Sequence, residues 1–353
     1  RIGPRQTRDC RVFIDGHGGG PRYPPGVFGS HLSIAGGMVN ALHEAERLGL
    51  DTVQVFTKNQ QQWSVPPLDE LAARAWCERL DVLGWRGRTV SHASYLINLA
   101  SGDDELWAKS LTLMHEEIER CERLGIAFLV FHPGSYVRSD LGQGLARIIE
   151  ACAELLSRTR GYATTLCLEG TAGAGSHIGG RFEHLGALRE GIEKAGGDVS
   201  RVGFCLDTCH MHAAGYDLRT RAAAAMAIEQ FDTVCGLAHV RVLHVNDSKG
   251  ACGTHLDRHE HIGEGTIGGG RIKHSDMGVF DQGKLDASGF WTFMNHRAFA
   301  AIPKIMETPK DPRKGEPNPE EPFDAVNLRR LKSLIESSPE GKRAGKPAHR
   351  ART

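Results

Sequence analysis

The sequence lacks a long apolar run, a net charge and paired cysteine spacings, and these absences limit what kind of protein it can be. No apolar run approaches the roughly 20 residues that a membrane-spanning helix needs, so we predict no membrane segment. Lys and Arg together number 43, and Asp and Glu also number 43, so the chain has no net charge with which to attract a polyanion. Any binding to nucleic acid would therefore depend on a local patch or on bound metal.

The nine cysteines lack the short paired spacings of a disulfide framework or of a cysteine-type zinc site. Reduced thiols fit this pattern best, and we expect a cytoplasmic protein. Cys167 and Cys205 lie inside apolar strand runs, where the ordinary interpretation is a small buried hydrophobic side chain. The 18 histidines are more informative, because several of them fall where predicted strands end.

From Val27 onward, short apolar runs alternate with amphipathic stretches, which predicts a repeated strand and helix. The predicted helices cover residues 37–48, 69–83, 103–124, 141–158, 182–195, 220–238 and 325–335. Eight strands are predicted, the number that closes a TIM (β/α)8 barrel, and the length of 353 residues accommodates one. These strands cover residues 27–31, 52–57, 89–92, 127–132, 164–169, 201–207, 240–246 and 302–308.

We therefore predict one barrel domain over residues 27–338, with a terminal extension on each side. Residues 1–26 are rich in Gly, Pro and Arg, and we expect them to be disordered. Residues 339–353 form a basic tail, which we interpret as solvated and disordered. Its basic residues, which could touch a polyanion, are Lys342, Arg343, Lys346, Arg350 and Arg352.

Imidazoles and carboxylates recur at the ends of the predicted strands. Between Phe204 and His212, for example, a buried strand stops at Asp207, and His210 follows on what we predict to be a loop. Because the carboxyl ends of parallel strands meet on one face of a barrel, side chains from distant stretches become neighbours there. The nitrogen and oxygen side chains at these ends and in the adjoining loops are His92, His132, Glu169, Asp207, His210, His244, Asp257, His259 and Glu307.

Nine such ligands without a thiol are typical of a zinc or manganese site, and they suffice for about three ions with open positions for substrate. Asp257 and His259 are spaced to point the same way from an extended loop and to hold one ion. Asp207 and His210 straddle a strand end and could reach neighbouring ions. A single histidine at a strand end is more often structural, but this many ionisable groups buried together would leave unpaired charge without metal.

Longer motifs extend this pattern over roughly residues 27–307. They are Ser-His-Leu-Ser-Ile-Ala-Gly-Gly at 30–37, Phe-Thr-Lys-Asn-Gln at 56–60, His-Ala-Ser-Tyr-Leu-Ile-Asn-Leu at 92–99, Phe-His-Pro-Gly-Ser at 131–135, Cys-Leu-Asp-Thr-Cys-His at 205–210, His-Val-Asn-Asp-Ser-Lys at 244–249, Asp-Arg-His at 257–259 and Gly-Glu-Gly at 263–265. In these motifs the chain resembles endonuclease IV, the family of zinc-dependent apurinic/apyrimidinic endonucleases.

The resemblance implies a barrel with three Zn²⁺ ions, with Mn²⁺ as an alternative at one position. It assigns the first ion to His92, His132 and Glu169, the second to Glu169, Asp207, His244 and Glu307, and the third to His210, Asp257 and His259. It also implies a DNA-repair enzyme of the deoxyribonuclease IV type. Zinc-bound hydroxide, held with the help of Glu169, would hydrolyse the phosphodiester 5′ to an abasic site in duplex DNA and leave a 3′-hydroxyl and a 5′-deoxyribose phosphate. We further expect a 3′-end-cleaning phosphodiesterase side activity and a monomer.

Residues in the loops after the first three strands enter the minor groove in this family. Tyr95 and Leu96 match inserted positions, and both are suitable wedges between bases. Gln61 stands where well-studied members carry an inserted Arg, so we expect weaker stacking and phosphate attraction there. Trp63 could equally be a packing residue or a DNA contact. The segment of residues 269–289 is longer than the corresponding segment that is typical of the family. We interpret it as a surface loop in preference to an added DNA-contacting lobe.

Two alternatives remain open from the sequence. A sugar isomerase or epimerase would share the barrel and similar ligands, but it would need one or two ions and would leave the Asp257-Arg-His259 motif and the Tyr95-Leu96 loop unexplained. A non-catalytic binder of damaged DNA would have no need of a complete and open ligand set.

Overall fold

The computed structural model describes residues 26–269, 280–312 and 320–335. Its strands are β1 (Phe28–Ser30), β2 (Gln54–Val55), β3 (Val90–His92), β4 (Phe128–Phe131), β5 (Thr165–Glu169), β6 (Val202–Asp207), β7 (Val240–His244), β8 (Asp247–Ser248), β9 (His259–Glu260) and β10 (Lys304–Met306). Eight of them run parallel in the order β1-β10-β7-β6-β5-β4-β3-β2, while β8 and β9 form a separate antiparallel pair. A parallel bridge between His31 and Gln54 joins the two outer strands of the sheet. The predicted TIM barrel is confirmed.

The helices lie between these strands and cover the outside of the barrel. Asp69, Asp103 and Asp140 begin three of them, because each carboxylate accepts a hydrogen bond from the backbone N–H three residues further on. Gly84 and Gly125 end two of them in the left-handed conformation, each with φ of 64°. The helices are α1 (Val39–Arg47), α2 (Glu70–Leu83), α3 (Asp104–Leu124), α4 (Leu141–Arg158), α5 (Phe182–Lys194), α6 (Thr208–Ala214), α7 (Arg221–Cys235), α8 (Gln282–Ala287), α9 (Gly289–Asn295) and α10 (Phe323–Ser333). Within the described ranges, no helix is both long enough and apolar enough to cross a membrane.

The prediction of a loop after the sixth strand is wrong, because α6 begins immediately after β6. The Asp207 carboxylate accepts a hydrogen bond from the backbone N–H of His210 at 2.8 Å and so caps the helix. Gly215, with φ of 112°, ends it. His210 therefore projects from the first turn of a helix, which gives its ring a more defined direction than a loop would.

Other differences concern boundaries. The second strand, predicted over residues 52–57, is reduced to Gln54–Val55. Residues 270–279 of the predicted insertion lie outside the described residues, but the part that follows forms α8 and the start of α9, so the expected loop is partly helical. The disordered extension predicted for residues 1–26 lies outside the described residues except for Gly26, and the predicted basic tail lies wholly outside them.

A layer of six fully buried side chains fills the barrel interior. Each lies two residues before a predicted metal ligand along the chain, as Val90 does before His92. Alternate residues of a strand face the same way, so this apolar layer forms the floor beneath the ligands. The prediction that Cys167 and Cys205 are buried hydrophobic side chains is confirmed. The layer consists of Val90, Val130, Cys167, Cys205, Val242 and Ile305.

Candidate metal centre

All nine predicted ligands lie together at the carboxyl end of the barrel. Six of them come from the ends of the barrel strands or the residue that follows, one step above the apolar floor. The other three come from α6, from the segment before β9 and from the first residue of β9. The first six are His92, His132, Glu169, Asp207, His244 and Glu307, and the other three are His210, Asp257 and His259.

Glu169 is the hub of this nine-residue cluster. Its Oε2 atom lies 3.1 Å from Nε2 of His92 and 3.1 Å from Nε2 of His132. Its Oε1 atom lies 2.9 Å from Nδ1 of His244 and 3.4 Å from Nδ1 of His210. The side chain has no exposed surface, so one buried carboxylate faces four imidazoles from four different strands or helices. A ligand shared between two ions must occupy such a central position.

The other three carboxylates complete the cluster. Nδ1 of His244 lies 3.2 Å from Oε2 of Glu307 and 3.8 Å from Oδ2 of Asp207. Nε2 of His259 lies 3.6 Å from Oδ2 of Asp207 and 3.6 Å from Oδ1 of Asp257. In the part of the chain that the structure describes, the ion-pair partners of these carboxylates are all histidines.

The cluster shifts the pKa values of its members strongly. Burial alone would raise the pKa of Glu169, but the neighbouring charges of His244 and His132 hold it well below its usual range. Burial alone would lower the pKa of His244, yet Glu307 and Glu169 raise it to about 9. Burial would also raise the pKa of Asp257, but His210 beside it lowers this pKa to about 2. A protonated His244 thus balances part of the negative charge of the carboxylates, and a metal ion would replace its proton.

Three of the five histidines in the cluster are oriented by a contact between Nδ1 of the ring and a backbone carbonyl. Nδ1 of His92 lies 2.7 Å from the carbonyl oxygen of Ala93, and Nδ1 of His210 lies 2.9 Å from that of Gly170. Nδ1 of His259 lies 3.2 Å from the carbonyl oxygen of Glu307. A histidine that donates one N–H to a carbonyl presents the lone pair of its other nitrogen, which is the usual arrangement of a metal ligand.

Two of the nitrogens that face the cluster are left without hydrogen bonds. Nε2 of His210 and Nε2 of His259 are buried and have no hydrogen-bond partner within the described residues. An unsatisfied buried polar atom costs about 1–3 kcal/mol, so such atoms call for a ligand. The two nitrogens converge on Oδ1 of Asp257, at 3.2 and 3.6 Å, without the alignment of a hydrogen bond. The donor set and these two unpaired nitrogens fit a bound metal ion.

Cys205 lies close to the cluster but differs from its members. Its thiol falls within 4.8 Å of ligand atoms of Glu169 and His244. Burial raises the pKa of this thiol well above its ordinary value, so it remains protonated and belongs to the apolar floor.

Three residues near the cluster were not singled out from the sequence. Gln54 is buried in β2, where its amide donates to Oε1 of Glu307 at 2.6 Å and its oxygen accepts from Nε2 of His244 at 2.8 Å. Nδ1 of His31 lies 2.9 Å from the same amide. Arg258 borders the open side of the cluster. A glutamine inside the apolar run Thr52 to Val55 was the signal available in the sequence for Gln54.

A cavity of about 320 Å³ opens onto the cluster from solvent. Its rim includes Tyr95, which is 62% exposed and whose ring lies 5.3 Å from that of His92. Leu96 is half-buried, and Gln61 is exposed on the preceding loop. The hydroxyl of Ser94 donates to the carbonyl of Gln60 at 2.6 Å, so the two predicted DNA-binding loops are tied together beside the cavity.

The fold and the site place the chain among TIM-barrel proteins that carry a cluster of potential metal ligands. Comparison with known proteins supports the TIM-barrel fold. The family described as xylose isomerase-like TIM barrel matches residues 42–330. A relative from Geotalea daltonii named probable endonuclease 4 is 40% identical over 307 residues, which cover 87% of this chain and 97% of that protein. The crystal structure of endonuclease IV from Thermus thermophilus superposes with a TM-score of 0.70 at 31% identity, covering 88% of this chain and 98% of that one. A D-tagatose 3-epimerase-like protein shares the fold at 17% identity, with a TM-score of 0.58 over 87% of this chain and 96% of that one.

The chain therefore belongs to the endonuclease IV family, within the xylose isomerase-like TIM barrels.

Proposed function

We propose that this protein is a DNA-repair endonuclease that hydrolyses the phosphodiester 5′ to abasic sites in duplex DNA and leaves a 3′-hydroxyl and a 5′-deoxyribose phosphate. The observation that carries the proposal is the convergence of nine ligand-competent side chains in one open cavity. The names of the relatives, which are endonucleases, support the same class of reaction. The free cysteines in the described residues agree with a reducing, cytoplasmic location.

The nine-residue cluster would hold three divalent ions, which we take to be Zn²⁺, with Mn²⁺ as an alternative at one position. His92, His132 and Glu169 would hold the first, and Glu169, Asp207, His244 and Glu307 the second. His210, Asp257 and His259 would hold the third. Bound there, the ions would supply Lewis acidity and lower the pKa of a water molecule, so that hydroxide is available to attack phosphorus. Six positive charges against four carboxylates would also give the site a net charge of about +2 toward the phosphate.

The side chains of the protein have separate tasks in this reaction. Glu169, held between four histidines, would keep the attacking water aligned with the scissile phosphate. Gln54 would keep His244 and Glu307 in place. The guanidinium of Arg258 is exposed beside the cavity and donates to the carbonyl of Asp257 at 3.2 Å. Its remaining donors would meet a phosphate oxygen.

Recognition of DNA would fall to the rim of the cavity. Tyr95 and Leu96 would enter the minor groove beside the lesion and separate the base step, because an exposed aromatic ring and a leucine are suitable wedges. Gln61 would approach from the neighbouring loop and add little charge. The same centre would also remove blocked 3′ ends as a phosphodiesterase, since that reaction needs the same phosphate contacts. The cavity lies within a single chain, in agreement with a monomer.

The decisive experiment is incision of a duplex oligonucleotide that carries one tetrahydrofuran abasic-site analogue, with the metal content measured on the same sample. We expect a single cut 5′ to the lesion and at least three zinc ions per chain. An undamaged duplex of the same sequence is the control. Intact lesion-bearing DNA after treatment with a folded, fully metallated sample would contradict the proposal, and sugars would then be the substrates to test for an epimerase.

A further inference from the structure

A second group of potential metal ligands lies outside the nine-residue cluster. His212, Asp217 and Cys252 each offer one ligand atom, and these three atoms lie within 4.8 Å of one another. His212 is on the last turns of α6, Asp217 follows that helix, and Cys252 lies in the connection between β8 and β9. We call these three residues the His-Asp-Cys group.

The backbone holds this group together. The N–H of Gly253 donates to the carbonyl of His212 at 3.0 Å, and the N–H of His255 donates to the carbonyl of Ala213 at 2.9 Å. The carbonyl of His212 also accepts from the N–H of Gly215 at 3.1 Å, so the loop adds a second donor at the end of α6 and is fastened to it. The position of Cys252 beside His212 is therefore determined by main-chain contacts and does not depend on side-chain rotamers alone.

The histidine of the group is buried and incompletely bonded. His212 has no exposed surface, and its Nε2 atom has no hydrogen-bond partner in the described part of the chain. Its Nδ1 atom receives a long contact from the N–H of Leu218, at 3.3 Å. Nε2 is the nitrogen left to be satisfied, and an ion held with Asp217 and Cys252 would satisfy it. An ion at Nε2 needs the lone pair of that nitrogen, so the ring proton would move to Nδ1 and the long contact from Leu218 would be given up.

The other two residues are suited to complete a site. Asp217 is paired with Arg219, whose hydrogen bonds hold the pKa of the carboxyl below its usual range, so the group is ionised. Arg219 and its backbone N–H use about three of the roughly four acceptor positions of this carboxylate, which leaves one for an ion. Cys252 is only half-buried, so a metal ion can reach its sulfur from solvent.

We propose that His212, Asp217 and Cys252 bind a further divalent transition-metal ion of the zinc class, separate from the nine-residue cluster. One imidazole, one thiolate and one carboxylate suit Zn²⁺ or Co²⁺ and disfavour the hard cations Mg²⁺ and Ca²⁺. Binding deprotonates the thiol, whose proton passes to solvent, and the fourth position is open to water.

The ion would connect two chain segments that carry proposed ligands of the nine-residue cluster. His210 lies two residues before His212 on the same helix, and Asp257 lies five residues after Cys252. Both are proposed ligands of the third catalytic ion. An ion in the His-Asp-Cys group would therefore fasten the segment that carries Asp257 to the helix that carries His210.

Cobalt chloride is the probe that distinguishes this site. Titrated into metal-free full-length protein, Co²⁺ bound to a thiolate produces a charge-transfer absorption in the near ultraviolet, and the nine proposed catalytic ligands include no thiol. We expect this band to appear and, at saturation, to have the amplitude of one Co²⁺–thiolate bond per chain. It should be absent from Cys252→Ser, and the cobalt affinity of the site should fall at least tenfold in His212→Gln and Asp217→Asn.

Cys209→Ser and Cys205→Ala are the controls, because the Cys209 thiol lies near Asp207 and His259, the Cys205 thiol lies near Glu169 and His244, and either could produce such a band. Both controls should keep the band. As a second measurement, zinc-loaded Cys252→Ser should contain one zinc ion fewer per chain than the wild type and should still incise abasic-site DNA. A wild-type protein without the band, a band that survives Cys252→Ser, or equal zinc content in the two proteins would overturn the proposal.

Discussion

Gln54 offers the sharpest test of how the barrel prepares the proposed metal centre. Its amide group contacts three residues at once: it donates to Glu307 at 2.6 Å, accepts from His244 at 2.8 Å, and lies 2.9 Å from His31. The side chain is fully buried in β2. Because the oxygen of Gln54 accepts from Nε2 of His244, Nδ1 of the same ring faces the carboxylates and is the nitrogen that would bind a metal ion once its proton is lost.

Replacing Gln54 with leucine keeps most of the volume and removes all three contacts. Outer partners of metal ligands typically contribute 10–100-fold in metal affinity, which corresponds to about 1.4–2.7 kcal/mol. We expect the Gln54→Leu substitution to lower the affinity of the most affected zinc ion by this factor, because His244 can then turn to the wrong tautomer and Glu307 loses a donor.

The assay is competition for zinc with a chromophoric chelator of known affinity, followed to full removal of the metal. Gln230→Leu is the control, since Gln230 is exposed on α7 and away from the cluster. Circular dichroism of both variants establishes that they are folded. Zinc affinities of Gln54→Leu and wild type that agree within twofold would refute the role given to this side chain.

Three further predictions concern catalysis, DNA binding and stability. Glu169→Gln should reduce incision of abasic-site DNA at least about a thousandfold while leaving DNA binding largely intact, because the hub carboxylate loses its charge but not its shape; initial rates and gel-shift titrations measure the two effects. Gln61→Arg should tighten binding to abasic-site DNA and make its salt dependence steeper by roughly one unit of slope, since one phosphate contact is added; Gln230→Arg is the control for charge alone. Burial raises the pKa of Asp247 to about 7, whereas backbone N–H groups that donate to it oppose the shift. The folded chain then holds a proton that the unfolded chain releases near pH 4, so the stabilisation is present below about pH 4 and is lost as pH rises through 7. The unfolding free energy of wild type minus that of Asp247→Asn should therefore fall between pH 4 and 8 in urea titrations.

Each of these predictions has a contrary result. Near-normal turnover by Glu169→Gln would remove it from the centre of the mechanism. An unchanged affinity and salt slope for Gln61→Arg would show that this loop does not approach a phosphate. A pH-independent difference between wild type and Asp247→Asn would mean that the backbone donors around this carboxylate outweigh its burial.

The order of strands and helices could be predicted well, because each strand is a short apolar run and the four longest of the described helices each begin with a capping side chain. Two local features were predicted wrongly, each for its own reason. Asp207 was interpreted only as a ligand, although the same carboxylate also begins α6 and Gly215 ends it. The helical part of the predicted insertion was missed because α8 has only six residues, too few for a clear amphipathic period.

The sequence by itself determined the barrel and the chemistry of its open end. Strands that are apolar until their last residue and then present His, Asp or Glu must expose those groups where parallel strands finish, and the family motifs identified the relatives. Whether the nine residues bind metal stays a prediction. Only the tertiary structure decided that Glu169 is the hub, that Gln54 reaches two ligands from β2, and that His212 meets Cys252. These contacts join residues 37 to 253 positions apart. Distances of that kind depend on how the barrel closes and how α6 packs against the β8–β9 connection, and no local pattern of residues encodes them.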